Sequence, residues 1–268
     1  MKWLASYGAV LLVAMALPIL VVVAGSLTGG DRIMFPPEGV SLRWYVAFFN
    51  SDEFVSSAMA SLIVASATCL IAGLIGALAA LALARRRFLG DTAVEALLTA
   101  PLAIPAVAIG IALAIFMSML HISGTKLGII IAHTIITTPF VLRMVRANFA
   151  GYSWNIENAA ANLGANPWQV FRYVTFPLMV PGILGGMIFA FVMSFDEVVI
   201  ALFLAGPDAM TLPARIFTYL DQSPGPIVLA AGSLLTFFAV VLMALLEWTV
   251  KIGRAFGVSD VREKPQQG

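Results

Sequence analysis

The chain has 268 residues, of which 61% are hydrophobic and 11% are charged, with a formal net charge of +1. Soluble domains carry roughly 45–50% apolar and about 25% charged residues, so this composition offers too little polar surface to cover a soluble particle. The near-neutral charge also gives no reason to expect nucleic acid as a partner. The composition therefore indicates an integral membrane protein.

Apolar segments that are long enough to cross a bilayer recur along the chain. A spanning helix needs about 20 apolar residues. Six segments meet this length: residues 4–28, 57–84, 93–120, 127–148, 178–205 and 227–250. The sequence lacks the alternating strands of a membrane barrel. We therefore expect an all-α, polytopic membrane protein with six transmembrane helices. The first segment is longer than the apolar region of a usual signal peptide, so we expect an uncleaved span.

The basic residues are distributed unevenly between the two sides of these spans. Eleven of the 15 Lys and Arg residues, including Arg85, Arg86 and Arg87, fall on the side of the N-terminus, and four fall on the other side. Loops rich in Lys and Arg stay in the cytoplasm. We therefore expect both termini to be cytoplasmic.

Aromatic residues follow the first span, on the expected outer side. The stretch SLRWYVAFF contains Trp44, Tyr45, Phe48 and Phe49, which suit a helix lying at the level of the outer headgroups. A surface helix that only packs against the rest of the protein fits the same residues.

Proline and glycine occur inside several of the spans. Pro101 and Pro105 in the third span and Pro139 in the fourth are expected to bend their helices. Gly182 and Gly186 form a G-x-x-x-G pattern in the fifth span. Small residues let membrane helices approach closely, so we interpret these features as helix packing.

Cysteine and histidine are scarce. Cys69 is the single cysteine of the sequence and lies in an apolar run, so an internal disulfide is excluded and a packing role is expected. His121 and His133 are too few to indicate a metal site. His133, in the middle of the fourth span, fits either a proton relay or a packed, hydrogen-bonded core histidine.

The loop between the fourth and fifth spans, residues 150–177, is predicted to be structured. Small and apolar residues recur there at helical spacing, at Ile156, Ala159, Ala160 and Leu163. Gly164 follows them where a helix would end, and Pro167 suits the first turn of a second short helix. Such a helix can lie in a groove on another protein and transmit force, or it can pack on its own membrane domain.

Two adjacent acids, Asp196 and Glu197, interrupt the apolar stretch FVMSFDEVVIALF. A helix that starts near Pro177 reaches Asp196 after about 28 Å, which places the pair in the outer half of the fifth span. Ionisable residues in spans usually face a wet cavity or the bundle interior. We expect one acid to face the substrate path and the other to bond a neighbouring helix or the backbone. A purely structural role also remains open, through a basic residue of a sister subunit or backbone amides near a helix break.

The spacing of the cytoplasmic loop resembles that of inner-membrane permease subunits of ABC importers, whose pattern is E-A-A-x-x-x-G-x(9)-I-x-L-P. The chain has Asn158-Ala159-Ala160, then Gly164, then nine residues before Val174-Thr175-Phe176-Pro177. Asn158, Val174 and Phe176 depart from the pattern's Glu, Ile and Leu. Glu157, one position earlier, is a second candidate for the acidic residue.

Similarity to the spermidine/putrescine-type permeases, in particular the second permease of that system, extends over roughly residues 5–255. The stretches that carry it are SLRWYVAFF, RRRFLGDTAVEALLTAPLAIPAVAIGIAL and SFDEVVIALFLAGPDAMTLPARIF. The resemblance implies the type I ABC importer permease fold. It also implies one transmembrane domain, residues 1–268, with its core at about 55–250 and a coupling loop at 150–177.

A mechanism follows from the resemblance. The sequence has no G-x-x-x-x-G-K-[ST] motif, so a separate cytoplasmic ATPase dimer would bind ATP and Mg²⁺. This chain itself would bind no cofactor and would not be an enzyme. Besides membrane lipid, its other partners would be a periplasmic substrate-binding protein and a second permease subunit, which together with this chain forms a heterodimeric pore in the bacterial inner membrane.

The resemblance also implies roles for particular residues. Those that couple the chain to the ATPase would be Glu157, Asn158, Ala159, Ala160, Gly164 and Ala165. For the substrate path, whose candidate residues are Asp196 and Glu197, the resemblance implies a small cationic substrate, a polyamine such as spermidine or putrescine.

Other functions fit parts of the sequence. The substrate could be another amine, an amino-acid derivative, an opine or a phosphonate. A proton-coupled secondary transporter would use Asp196, Glu197 and His133, but leaves the loop spacing unexplained. An intramembrane hydrolase has less support, because no G-x-S lies near a membrane histidine and adjacent acids suit a shared site poorly.

Overall fold

The computed structural model describes residues 2–85, 89–149, 153 and 155–255, and the regular structure within them is helical. The helices are α1 (Lys2–Ser26), α2 (Arg43–Phe49), α3 (Asp52–Arg85), α4 (Asp91–Thr99), α5 (Ala106–Met119), α6 (Lys126–Phe149), α7 (Asn155–Asn162), α8 (Pro167–Val170), α9 (Phe176–Phe195), α10 (Val199–Leu204), α11 (Leu212–Gln222) and α12 (Ile227–Ala255). Two 3-10 turns, Ala100–Ala103 and Pro207–Ala209, and one π-turn, Phe171–Thr175, lie between them. Arg86, Arg87, residues 150–152 and 154 of the expected coupling loop, and residues 256–268 lie outside the described residues.

The expected all-α membrane fold is confirmed. Five continuous helical stretches are long and apolar enough to cross a bilayer: Ser6–Ser26, Asp52–Arg85, Lys126–Phe149, Pro167–Phe195 and Ile227–Leu245. A sixth candidate span consists of two helical pieces, Asp91–Ala103 and Ala106–Met119. The described residues therefore contain six candidate spans when this pair is counted as one.

The third predicted span, residues 93–120, is not one straight helix. Its two pieces meet at an angle of 110°, around the two prolines that were expected to bend it. Ile104 has extended backbone angles, φ −95° and ψ 133°. The residue before a proline is driven out of the helical region by the proline ring, so Pro105 accounts for the break.

The fifth predicted span, residues 178–205, has the wrong bounds. The observed helix runs from Pro167 to Phe195, and α10 begins only at Val199. The two acids at 196 and 197 therefore lie in a break between helices and not inside a helix. The apolar residues on both sides of the break made the stretch resemble one continuous span.

The chain falls into two compact units, each built from several segments. Unit 1 contains the described residues of Met1–Val64, Gly110–Ile129 and Phe195–Val241, and unit 2 contains those of Ala65–Ile109, Ile130–Ser194 and Leu242–Gly268.

In unit 2, glycines bring three helices into close contact. A Cβ atom added to Gly76 of α3 would lie 2.7 Å from the Cβ of Val141 in α6, and one added to Gly186 of α9 would lie 2.9 Å from the Cα of Val141. One added to Gly182 would lie 3.0 Å from the Cα of Val145. The expectation that the glycines serve helix packing is confirmed for these positions. Cys69 is half-buried against the same core.

In unit 1, α2 packs by one face. Phe48 is buried, and the Tyr45 hydroxyl lies 2.6 Å from both the Ser26 Oγ of α1 and the Ser233 Oγ of α12. Phe49, the next residue, is exposed, and its ring lies edge-on to that of Phe48 with the centroids 5.2 Å apart. The structure thus shows that α2 packs against α1 and α12, and the exposed Phe49 is also compatible with a position at the headgroup level.

Candidate functional site

The first helix of the 150–177 loop, α7, ends in a complete glycine cap. Gly164 has a φ of +92°, which is the left-handed region that glycine adopts without strain. Its N–H donates to the Ala161 carbonyl at 2.9 Å, and the Ala165 N–H donates to the Ala160 carbonyl at 3.1 Å. This pair of bonds is the Schellman motif. It confirms that α7 ends where the glycine predicted.

The second helix of the loop begins with an equally complete cap. The Asn166 side chain accepts a bond from the Gln169 N–H at 2.9 Å, and the Gln169 side chain accepts one from the Asn166 N–H at 2.8 Å. Pro167 occupies the first turn, where its missing N–H costs nothing. With a cap on each side, the short connection between α7 and α8 has a defined backbone and is not a flexible linker.

A π-turn joins α8 to α9 without a break. The Phe176 N–H bonds the Phe171 carbonyl, five residues earlier. Pro177 has no N–H, and its ring would crowd the carbonyl of Tyr173 in a regular helix. The wider π-turn accommodates the proline, so one helix continues from the loop into the span. π-turns are rare and are often found at functional sites.

The outer face of α7 is open to solvent. None of the residues of α7 is buried, and the Leu163 side chain just beyond it is 90% exposed. An open groove of about 350 Å³ lies beside the helix, and its lining includes Ala160, Leu163, Ala165, Val170 and Tyr173. An apolar groove next to exposed small residues offers a surface on which another protein can dock.

Glu157 is the one acidic residue of α7, and its carboxylate is bound within the chain. The Arg85 Nη2, at the end of α3, lies 3.0 Å from its Oε1 and 3.2 Å from its Oε2. The Thr175 hydroxyl donates to the same carboxylate and accepts a bond from Arg85 at 3.0 Å. Asn158, the next residue, is exposed. Neither Arg85 nor Thr175 is among the site residues that the sequence predicts. For Arg85 the sequence indicates only a charge on the cytoplasmic side.

The acidic pair in the break after α9 has two different environments. The Glu197 side chain accepts a bond from the Ile200 N–H at 2.9 Å, in the first turn of α10. Glu197 thus has the backbone partner that was expected for one of the acids. Asp196 is exposed, and its carboxylate has no hydrogen-bond partner within the described part of the chain. The role of Asp196 in a substrate path stays a prediction.

His133 is a packed core histidine in the structure. It is fully buried in α6, and its Nδ1 lies 2.8 Å from the Oγ of Ser194 in α9. Its backbone carbonyl accepts a bond from the Thr137 hydroxyl at 2.7 Å. This arrangement corresponds to the second of the two roles that the sequence left open.

The predicted site residues fall into two groups. The six residues predicted to couple the chain to an ATPase lie together on α7 and its glycine cap in unit 2, whereas Asp196 and Glu197 belong to unit 1. Among the described residues, no group of three or more His, Cys, Asp or Glu side chains is arranged to hold a metal ion.

Comparison with known families and curated proteins identifies relatives over most of the chain. Residues 72–251 match the family described as "Binding-protein-dependent transport system inner membrane component". The putrescine transport system permease protein PotI of Escherichia coli (strain K12) is 34% identical over 223 residues, which cover 78% of this chain and 79% of that protein. The spermidine/putrescine transport system permease protein PotC of the same strain is 28% identical, with 85% and 86% covered.

Comparison with solved structures gives the same fold. A chain of a bacterial ABC transporter involved in the import of the acidic polysaccharide alginate superposes with a TM-score of 0.70 at 17% identity. The superposition covers 94% of this chain and 96% of that chain. At this identity the likeness concerns the fold alone.

Proposed function

Because the chain belongs to the family of binding-protein-dependent transport system inner membrane components, we propose that it is the permease subunit of an ATP-driven polyamine importer in the bacterial inner membrane. The observation that carries the proposal is the capped, exposed helix α7, which lies where the sequence has the loop pattern of ABC importer permeases. Both termini and the 150–177 loop would then be cytoplasmic, as the distribution of basic residues favours.

In this function α7 is the coupling helix, and the ATPase dimer docks on its exposed face. The sequence has no P-loop motif, so ATP and Mg²⁺ would be bound by the ATPase. Closure of the dimer would move α7, and the helix that runs from Pro167 to Phe195 without a break would carry the movement into the membrane. A rigid helix can transmit such a displacement, whereas a disordered loop cannot.

The proposed substrates are polyamines. These are diamines or longer amines that carry a positive charge on each nitrogen. Support comes from the two relatives whose names contain putrescine or spermidine and from the carboxylate of Asp196, which is exposed and bonds no group among the described residues. Ammonium groups form strong, charge-assisted hydrogen bonds with carboxylates. Asp196 would accept one ammonium group on the path, and a periplasmic binding protein and a second permease subunit would complete the importer.

The proposal is tested by purifying the chain with its ATPase, second permease and binding protein and reconstituting the complex in liposomes. We expect uptake of labelled putrescine that saturates, requires the binding protein and is competed by spermidine but not by neutral amino acids or phosphonates. Import of a different substrate class in place of polyamines would overturn the substrate assignment. Failure of the chain to purify with any ATPase would contradict the assignment as an importer subunit.

A further inference from the structure

We propose that Glu157 is a positioning residue, whose carboxylate ties the coupling helix α7 to α3 and to the start of α9. The proposal rests on the proposed function of the 150–177 loop as the coupling loop. It assigns to Glu157 a role inside this chain and leaves contact with the ATPase to other residues of α7.

Three separate parts of unit 2 meet at this carboxylate. Arg85 is the last residue of α3, Glu157 lies in the first turn of α7, and Thr175 is the last residue of the π-turn before α9. Arg85 approaches both carboxylate oxygens, at 3.0 and 3.2 Å, and also donates to the Thr175 hydroxyl, which itself donates to Glu157. Each of the three side chains therefore bonds the other two.

The burial of these side chains distinguishes them from an ordinary surface ion pair. The side-chain exposure is 16% for Glu157 and 35% for Arg85, and Thr175 is fully buried. A second ion pair of unit 2, Arg146 with Glu95, has side-chain exposures of 41% and 42%. Exposed pairs are screened by water and contribute little, whereas a shielded carboxylate with several donors holds its geometry more firmly.

The helix α7 has few other means of attachment. None of its residues is buried, so it has no apolar anchor of its own against the membrane helices. Its glycine cap joins it along the chain to α8, and the Glu157 carboxylate bonds the end of α3. Because α3 has 34 residues and is about 50 Å long, it exceeds the hydrocarbon core of about 30 Å, so its Arg85 end can project out of the membrane and meet α7.

The position of Thr175 links this contact to the start of α9. It lies in the π-turn, where the regular hydrogen-bond ladder of the helix is interrupted, and such turns are frequently sites of adjustment. A displacement of α7 would reach α9 at this turn and α3 at its end. Asn158 and Ala159, which are exposed, are left to contact the ATPase.

The test compares four variants of the reconstituted complex with the wild type: Glu157→Gln, Arg85→Gln, the two together, and the charge reversal Arg85→Glu with Glu157→Arg. Two quantities are measured, the amount of ATPase that co-purifies and the substrate imported per ATP hydrolysed. We expect each single variant to lower import per ATP by about fivefold or more with co-purification unchanged. The double variant should be no worse than either single variant, and the charge reversal should recover part of the loss.

Further variants keep the test informative if a charge change at position 85 prevents assembly. Thr175→Val removes the hydroxyl at nearly constant volume and should also lower import per ATP, whereas Thr175→Ser should keep it. Arg146→Gln removes the same charge from the exposed pair and should leave the ratio as in the wild type.

Loss of co-purified ATPase with Glu157→Gln but not with Arg85→Gln would overturn the inference, because Glu157 would then contact the ATPase directly. Additive effects of the Glu157 and Arg85 variants, or wild-type import per ATP in Thr175→Val, would overturn it too. A wild-type complex without ATP-driven import would contradict the proposed function itself, so the two failures are distinguishable.

Discussion

Two pairs of neighbouring residues, Glu157–Asn158 in the 150–177 loop and Asp196–Glu197 after α9, lie in different units of the molecule and share one feature. In each pair one carboxylate is shielded and bonded within the chain, by Arg85 and Thr175 in the first and by the Ile200 N–H in the second. The neighbouring residue is exposed. A carboxylate taken from water needs replacement partners, so the bonded member stabilises the local structure and the exposed member is free to bind something else.

The pairs differ in what surrounds them. From Asn155 onwards, the 150–177 loop has a glycine cap, an asparagine–glutamine capping box and the Glu157 contacts, so its backbone there is fixed at several points. At the break after α9, the Glu197 side chain bonds the start of a six-residue helix, and the Val198 carbonyl accepts a bond from the Leu202 N–H. We infer that substitutions in the loop lower the import per ATP hydrolysed. At the break, we expect some substitutions to change substrate binding and others to change local stability.

The largest effect is expected at Gly164. Gly164→Val forces a β-branched residue into a positive φ, although an added Cβ there meets open space, so the cost is backbone strain. We expect import per ATP to fall about tenfold or more, with the protein still inserted and ATP still hydrolysed. Gly164→Ala should have a smaller effect in the same direction.

Gly185→Ala is the matched control for Gly164→Ala. It also adds a Cβ that meets nothing within 4 Å, but Gly185 does not have a positive φ. Its transport should equal that of the wild type. Full uptake by Gly164→Val would show that the cap of α7 has no part in coupling.

The next effect is expected at Asp196. Asp196→Asn removes the charge that would pair with an ammonium group, and we expect the KM for putrescine uptake to rise about tenfold with little change in Tm. Uptake kinetics at several substrate concentrations and a thermal melt measure the two quantities. An unchanged KM and rate would favour a structural role for Asp196.

Glu197→Ala should give the opposite result to Asp196→Asn. It removes the acceptor of the Ile200 N–H, which corresponds to about 1 kcal/mol of stability, and should lower Tm while leaving the KM unchanged. Glu197→Gln keeps an acceptor oxygen and should restore most of the Tm. A change in KM with Glu197→Gln at constant Tm would place Glu197 on the substrate path as well.

The smallest effect is expected at Ser194. Ser194→Ala leaves the buried His133 Nδ1 without its partner and should lower stability by about 1 kcal/mol, with ATP-driven uptake unchanged. Thermal melts and uptake at two pH values measure this. A shift in the pH dependence of uptake would instead support a proton relay through His133.

The sequence predicts the parts of this fold that depend on local pattern. The spans follow from apolar length, the end of α7 from Gly164, and the bend near Pro105 from proline chemistry. The break at residues 196–198 was missed because no glycine or proline marks it and apolar residues continue on both sides. The partners of Glu157 were missed because Arg85 lies 72 residues earlier, a separation that a local pattern cannot bridge.

ATP hydrolysis by a partner subunit is expected to drive import through this chain, and an experiment that separates ATP from the proton gradient tests this. Uptake of labelled putrescine is followed in cells or liposomes in which one energy source is removed at a time. We predict that uptake stops when ATP is depleted with the proton gradient intact, and continues when the gradient is collapsed with ATP present. Uptake that survives ATP depletion but stops with the gradient would contradict the account and favour a proton-coupled transporter.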